Sequence, residues 1–260
     1  MFDHLRDWYD TRRLQQRGLD ALWPEAVAGW PLLAQYQPEV QAQLRDMALR
    51  FVVRKHIIGG AGFAVTDLMR LRVAAQAVVP VLGLGLDWYQ DWNAVVLYEG
   101  AFIPHHEWED ENGIVHAGDM PLSGEAWPHG PVILSWEDVL ASDDPEHAGY
   151  DVVIHEMAHK LDMRGAGGAN GAPPLHRGME AQRWHDVMQQ AWDSLSAAEA
   201  EGRELPLDPY GLEDAGEFFA VLSECFFSAP HHVQDVWPEA YAQLRAFYRQ
   251  DPLRGSLLPA

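Results

Sequence analysis

Residues 151–162 read DVVIHEMAHKLD, and no other stretch restricts the fold as tightly. On an α-helix each residue advances by about 100°, so Ile154, Ala158 and Leu161 form an apolar stripe while Asp151, His155, His159 and Asp162 form a polar one. A helix of this kind needs a hydrophobic core on one flank and polar partners on the other. His155 and His159, at i and i+4, point the same way, so their imidazoles can share one divalent cation, with Glu156 beside them to take a proton from water. With 13 His in the chain, a His-Glu-x-x-His string arises from composition alone in about 4 chains in a hundred. The surroundings therefore have to carry the argument.

The chain has 260 residues, 48% of them hydrophobic, enough to bury a core in one sizeable domain or two closely packed subdomains. A net charge of −21 disfavours a phosphate backbone or an anionic membrane surface as a direct partner. A single cysteine, Cys225, excludes an intrachain disulfide and fits a reducing, cytoplasmic setting. No apolar run follows the N-terminal charges and no window approaches 18 uninterrupted apolar residues, so neither a signal peptide nor a membrane span is expected.

Residues 1–58 read as helical scaffold, with helical apolar spacing between breaks at Pro24, Pro31 and Pro38. Thr66 is a plausible N-cap for a buried helix running to about Val79 and stopped by Pro80. The stretches 93–103 and 131–139, rich in β-branched and aromatic residues, read as strands. Between them, residues 104–130 form a polar hairpin or loop insertion containing His105, His106, His116 and His129. Without fixed ligand spacing these read as solvated loop residues rather than a second metal site. Helices are expected over 151–163, 177–201 and EDAGEFFAVLSECFFSA, the last closed by Pro230, and again over PEAYAQLRAFYRQ. The expected architecture is α+β: a helical N-terminal part over 1–75 packed on a catalytic part over 76–260, which forms one compact unit.

A catalytic zinc site usually takes three protein ligands. The segment YGLEDAGEFFAVLSE offers Glu213, Asp214, Glu217 and Glu224, and Glu217, Val221, Glu224 and Ser228 share one helical stripe. A carboxylate inside so apolar a segment needs a partner, and a metal is a ready one. Spacing alone does not separate Glu217 from Glu224, and both also read as ordinary helix-surface acids. Cys225, in an apolar helix with no adjacent base, is a poor nucleophile. Trp88, Trp92, Trp136 and Trp237 read as core.

HEMAHKLD, followed by DPYGLEDAGEFFAVLSECFFSAP and preceded by AAQAVVPVLGLGLDWY, resembles the Mlc titration factor A family of zinc peptidases, whose catalytic domain is similar to that of anthrax lethal factor. The resemblance spans roughly residues 30–252. It implies a zincin-type, gluzincin-like fold with a small mixed sheet, and one zinc ion held by His155, His159 and Glu217, the last seven residues after Tyr210 as in the family pattern. It also implies Glu156 as general base and Tyr210 as hydroxyl donor to the oxyanion, in an aminopeptidase acting on peptides. Gly216 and the 104–130 insertion are local differences. By position, PVILSW at 131–136 is the candidate edge strand for an extended substrate, with a fully paired central strand as the alternative. Asp151, Asp162 and Glu224 are candidates for orienting the His rings, or else exposed acids. The family name implies a rival role, a regulatory binder that sequesters a transcriptional repressor of the Mlc type with the metal structural or controlling. A non-proteolytic hydrolase using the same site is a third reading.

Overall fold

The computed structural model describes residues 18–101, 123–127, 129–144, 149–166 and 168–259, and the backbone of 107–109 and 115–117. Three prolines open helices rather than merely interrupting them. Pro24, Pro31 and Pro38 lie in the first turns of α1 (Trp23–Ala26), α2 (Pro31–Gln35) and α3 (Pro38–Arg54). There the missing N–H has no helical partner to lose, and the fixed φ suits the helix.

Helical periodicity was expected through residue 58, but α3 ends at Arg54 and His56–Gly59 form strand β1. Lys55 turns the chain: its Nζ donates to the carbonyls of Tyr89 and Trp92, which frees Ile57 and Ile58 to pair with β2 (Ala94–Tyr98). Thr66 caps α4 (Asp67–Val78) as its position predicts, its Oγ1 accepting the Met69 amide at 3.2 Å. The strand expected over 131–139 is shorter. β6 covers Val132–Ser135, and Ser135 Oγ accepts the Asp138 amide at 3.3 Å, starting helix α5 (Trp136–Ala141). The first turn of α5 carries Glu137 and Asp138, which suit a helix N-terminus.

β5 (Gly124–Ala126) completes a four-stranded mixed sheet of order β1-β2-β6-β5. The first three strands are parallel and β5 runs antiparallel to β6. β6 is thus paired on both sides and cannot serve as the substrate edge assigned to 131–136; among the described residues the sheet edge beside the motif helix belongs to β5. β3 (Glu107–Glu109) and β4 (Val115–Ala117) form a separate hairpin. Most of the 104–130 insertion lies outside the described residues, including His105, His106 and the His116 side chain, and with them any second metal site there.

The motif helix α6 (Val152–Ala166) packs against α4, against β5 and above all against α8 (Ala215–Ser228), with α7 (Ala181–Ala200) outside. Pro230 does not simply close α8; it begins the short α9 (Pro230–Val236), which leads to α10 (Pro238–Tyr248). A terminal pair of short strands, β7 (Gln250–Asp251) and β8 (Ser256–Leu257), follows. The apolar face of α8 buries Phe219, Phe226 and Phe227 against Tyr241, Phe247 and Tyr248, with ring centroids as close as 4.8 Å. That packing turns the opposite face of α8, carrying Glu217 and Glu224, towards α6. No helix among the described residues is long and apolar enough to cross a membrane.

Candidate metal centre

α6 is set in place by its own first turn. Asp151 Oδ1 accepts the Ile154 amide at 3.0 Å, and the Asp151 amide donates to Glu224 Oε2 at 2.7 Å, so α8 holds the start of the motif helix. The other Glu224 oxygen lies 2.7 Å from His155 Nδ1. A carboxylate can only accept there, so Nδ1 carries a proton, and Nε2, once it gives up its own, presents a lone pair to the opposite side.

On that side His155 Nε2 stands 3.0 Å from Glu217 Oε2 and 3.1 Å from His159 Nε2, and His159 Nε2 stands 3.3 Å from the same carboxylate oxygen. Three ring-nitrogen and carboxylate-oxygen atoms thus converge on one point, and among the described residues Glu217 Oε2 is buried with only these two imidazoles against it. Ligands bonded to zinc at about 2.0–2.1 Å in a tetrahedron are about 3.3 Å apart, so the triangle matches three corners of such a site. His155, His159 and Glu217 are the only such cluster among the described residues.

Electrostatics agree with this arrangement. Burial would raise Glu217, but the two imidazoles override it and hold its pKa at about 2. Burial would lower His155, yet Glu224 and Glu217, one at each ring nitrogen, keep it well above the ordinary histidine range. A proton and a metal ion therefore compete for Nε2 at pH values where an ordinary histidine is already neutral. Zinc affinity is expected to keep rising with pH beyond about 6.5, as deprotonation frees the ligand. Chelator competition at a series of pH values checks this, and a profile flat from acid to alkaline pH would count against it.

Glu156 is buried, and burial pushes its pKa up to about 7 against the pull of His155 and His159. Its Oε2 has no hydrogen-bond partner. Its carboxyl lies directly under β5: a Cβ added to Gly124 would stand 2.3 Å from Glu156 Oε1. Only glycine lets the edge strand pass this close. Nothing in the sequence pattern around GEA marks Gly124, which is visible only in the packing. Lys160, also missed, is buried one residue after His159, and its Nζ donates to the carbonyls of Trp127 and Gly130, tying the β5–β6 turn to α6.

A cleft of about 950 Å³ opens beside these groups, lined by Gly124, His155, Glu156, Tyr210, Val221 and Cys225 among others. Tyr210 comes from a 3₁₀ turn, Pro209–Leu212, capped by Asp208, and its ring centroid lies 6.1 Å from that of His155. Burial and then the nearby Glu217, Glu213 and Glu156 raise its pKa, so the hydroxyl keeps its proton as a donor. Cys225 also faces the cleft, but burial pushes its thiol up to about 12, which leaves it inert at neutral pH. Asp151, Asp162 and Glu224 are all buried, so none is a surface acid. Of the three, Glu224 alone bonds a histidine ring directly.

Two histidines one turn apart on α6 and a glutamate from α8 meet at one point beside an open cleft, an arrangement that can hold a metal ion. The chain belongs to the family described as glucose-regulated metallo-peptidase M90, which matches residues 5–249. It is 41% identical over 234 residues to Mlc titration factor A of Edwardsiella ictaluri, covering 89% of this chain and 88% of that one. It is 39% identical to the protein of the same name from Pectobacterium atrosepticum, over 89% of this chain and 86% of that one. The Yersinia enterocolitica protein of that name is 36% identical, over 95% and 91% of the two chains.

Proposed function

We propose that this metallopeptidase uses one zinc ion, held by His155, His159 and Glu217, and acts as an aminopeptidase on peptides in a zincin-type catalytic fold. The convergence of three lone-pair-bearing atoms at 3.0–3.3 Å carries the reading. Zinc, when bound, makes a water acidic enough to attack at neutral pH and polarises the scissile carbonyl. Glu156 takes the proton from that water and returns it to the leaving amine, a task suited to a carboxyl with a pKa of about 7. Tyr210 donates its hydroxyl to the developing oxyanion. β5, the sheet edge beside Glu156, pairs with the extended substrate backbone.

Preference for a free N-terminus follows from charge. Asp208, an exposed acid, lines the cleft and attracts an α-ammonium group. N-acetylation of a peptide substrate is therefore expected to lower kcat/KM at least tenfold; equal cleavage of acetylated and free peptides would overturn the aminopeptidase assignment while leaving a peptidase. Tyr210→Phe is expected to lower kcat by about 10²-fold, the usual weight of one oxyanion donor, with KM little changed. An unchanged kcat would remove Tyr210 from the reaction.

A second reading rests on the relatives, whose name describes titration of Mlc. Here the chain would bind a repressor of that type, directly and with the metal centre in a supporting role. Calorimetric titration of purified Mlc into the wild-type protein and into Glu156→Gln separates the two. Binding by both, with no turnover of any peptide by wild type, favours the binder; peptide turnover that Glu156→Gln abolishes favours the enzyme.

A further inference from the structure

The three metal-binding side chains do not share one scaffold, since His155 and His159 ride on α6 and Glu217 on the first turn of α8. Glu224 orients the His155 ring. Among the described residues, His159 Nδ1 is buried without a hydrogen-bond partner, and Glu217 Oε2 meets only the two imidazoles it would join at the metal. The position of Glu217 is therefore set by where its helix begins. Asp214 Oδ1 accepts the amides of Gly216 and Glu217 at 2.7 and 2.9 Å, which fixes that turn internally but not relative to α6.

The loop 169–172 supplies the missing link. Asp162, fully buried on α6 three residues after His159, accepts the amides of Asn170 and Gly171 on a single oxygen, Oδ2, at 2.7 Å each. From there the loop presses on the start of α8 with almost no clearance. A Cβ on Gly171, whose φ is +73°, would lie 2.6 Å from the Ala215 carbonyl oxygen, and a Cβ on Gly216 would lie 2.9 Å from Ala169 Cβ. Trp184 Nε1 donates to the Gly171 carbonyl at 2.8 Å and braces the loop from α7. Gly216, the residue preceding the third ligand, is thus a close-packing requirement, because any side chain there would push α8 off the loop.

We infer that Asp162 is a positioning residue for the third ligand: through its two hydrogen bonds to the 169–172 loop it sets the distance of Glu217 from the histidines of its own helix. The inference rests on the His155–His159–Glu217 reading of the metal centre. It concerns metal affinity, so its test does not depend on peptide cleavage.

The experiment measures zinc dissociation constants by competition with a chromophoric chelator, and melting temperatures with and without zinc, for wild type, Asp162→Ala, Asp162→Asn and Gly216→Ala. Tyr36→Phe, which deletes a buried hydrogen bond to Gln250 in a segment carrying no site residue, serves as a destabilised control. Asp162→Ala and Gly216→Ala are expected to weaken zinc binding about 10–100-fold, the range for lost ligand support, and Asp162→Asn to recover part of it because its carbonyl oxygen can still accept both amides. Tyr36→Phe should lower the melting temperature without weakening zinc binding. Wild-type zinc affinity in both Asp162→Ala and Gly216→Ala overturns the inference, whatever their melting temperatures. If Asp162→Ala does not fold, the Asp162→Asn and Gly216→Ala affinities decide by the same criterion. If wild type itself takes up no zinc, the metal reading fails and hydrogen exchange decides the clamp: faster exchange over residues 214–218 in Asp162→Asn supports it, and unchanged exchange refutes it.

Discussion

Replacing Glu156 with Gln is expected to lower kcat for peptide hydrolysis by about 10²–10⁴-fold while zinc content stays at the wild-type level. The side chain keeps its length and its place beneath Gly124, whose missing Cβ would otherwise stand 2.3 Å from Oε1. It loses the ability to accept a proton. The three atoms that surround the proposed ion come from His155, His159 and Glu217, so none is touched. If Glu156 is the base proposed above, its carboxyl, raised by burial to about 7, should make kcat/KM in wild type rise with pH as it ionises, and the substitution should abolish that limb. Metal analysis alongside steady-state kinetics on one peptide substrate checks both halves. Retention of wild-type kcat in the Gln variant would show that another group does the proton transfer.

Glu217→Ala should act on the ion rather than on the proton. It removes one of three ligands and the carboxylate that, with a pKa of about 2, is ionised at any physiological pH. Two imidazole nitrogens 3.1 Å apart then lose the one carboxylate that faces both of them. Zinc affinity is expected to fall by more than the 10–100-fold that follows loss of a supporting partner, and activity should fall with it. Excess zinc should restore part of the activity of this variant but none of that of Glu156→Gln. That contrast separates a ligand from a base, and wild-type zinc affinity in Glu217→Ala would dismantle the proposed centre.

How far the site was legible in the sequence depends on the range of the interaction. His155, Glu156 and His159 lie within one helical turn or so of each other, and backbone geometry alone brings them together. Glu217 and Glu224 are different. Both fall on one stripe of α8 and both meet His155, one at Nε2 at 3.0 Å and the other at Nδ1 at 2.7 Å, so periodicity could not tell a candidate ligand from a residue that orients it. Strands β1 and β5 escaped the sequence reading for a related reason. β5 is three residues long, GEA, with neither β-branched side chains nor alternation, and exists because β6 offers it a hydrogen-bonding edge. β1 was read as the end of a helix because Ile57 and Ile58 fit either pattern until β2 is available as a partner.

By itself, then, the sequence determined the α+β class, the Thr66 cap, and the two-histidine motif with its neighbouring carboxyl. All of these follow from contacts a few residues apart. Only the tertiary structure decided which glutamate faces the two Nε2 atoms, that β5 rather than β6 borders the site, and that Gly124 and Gly216 must lack side chains. Those outcomes depend on α8, β5 and the 169–172 loop being pressed against α6 by a core assembled from distant segments, and no local pattern records where such surfaces will meet.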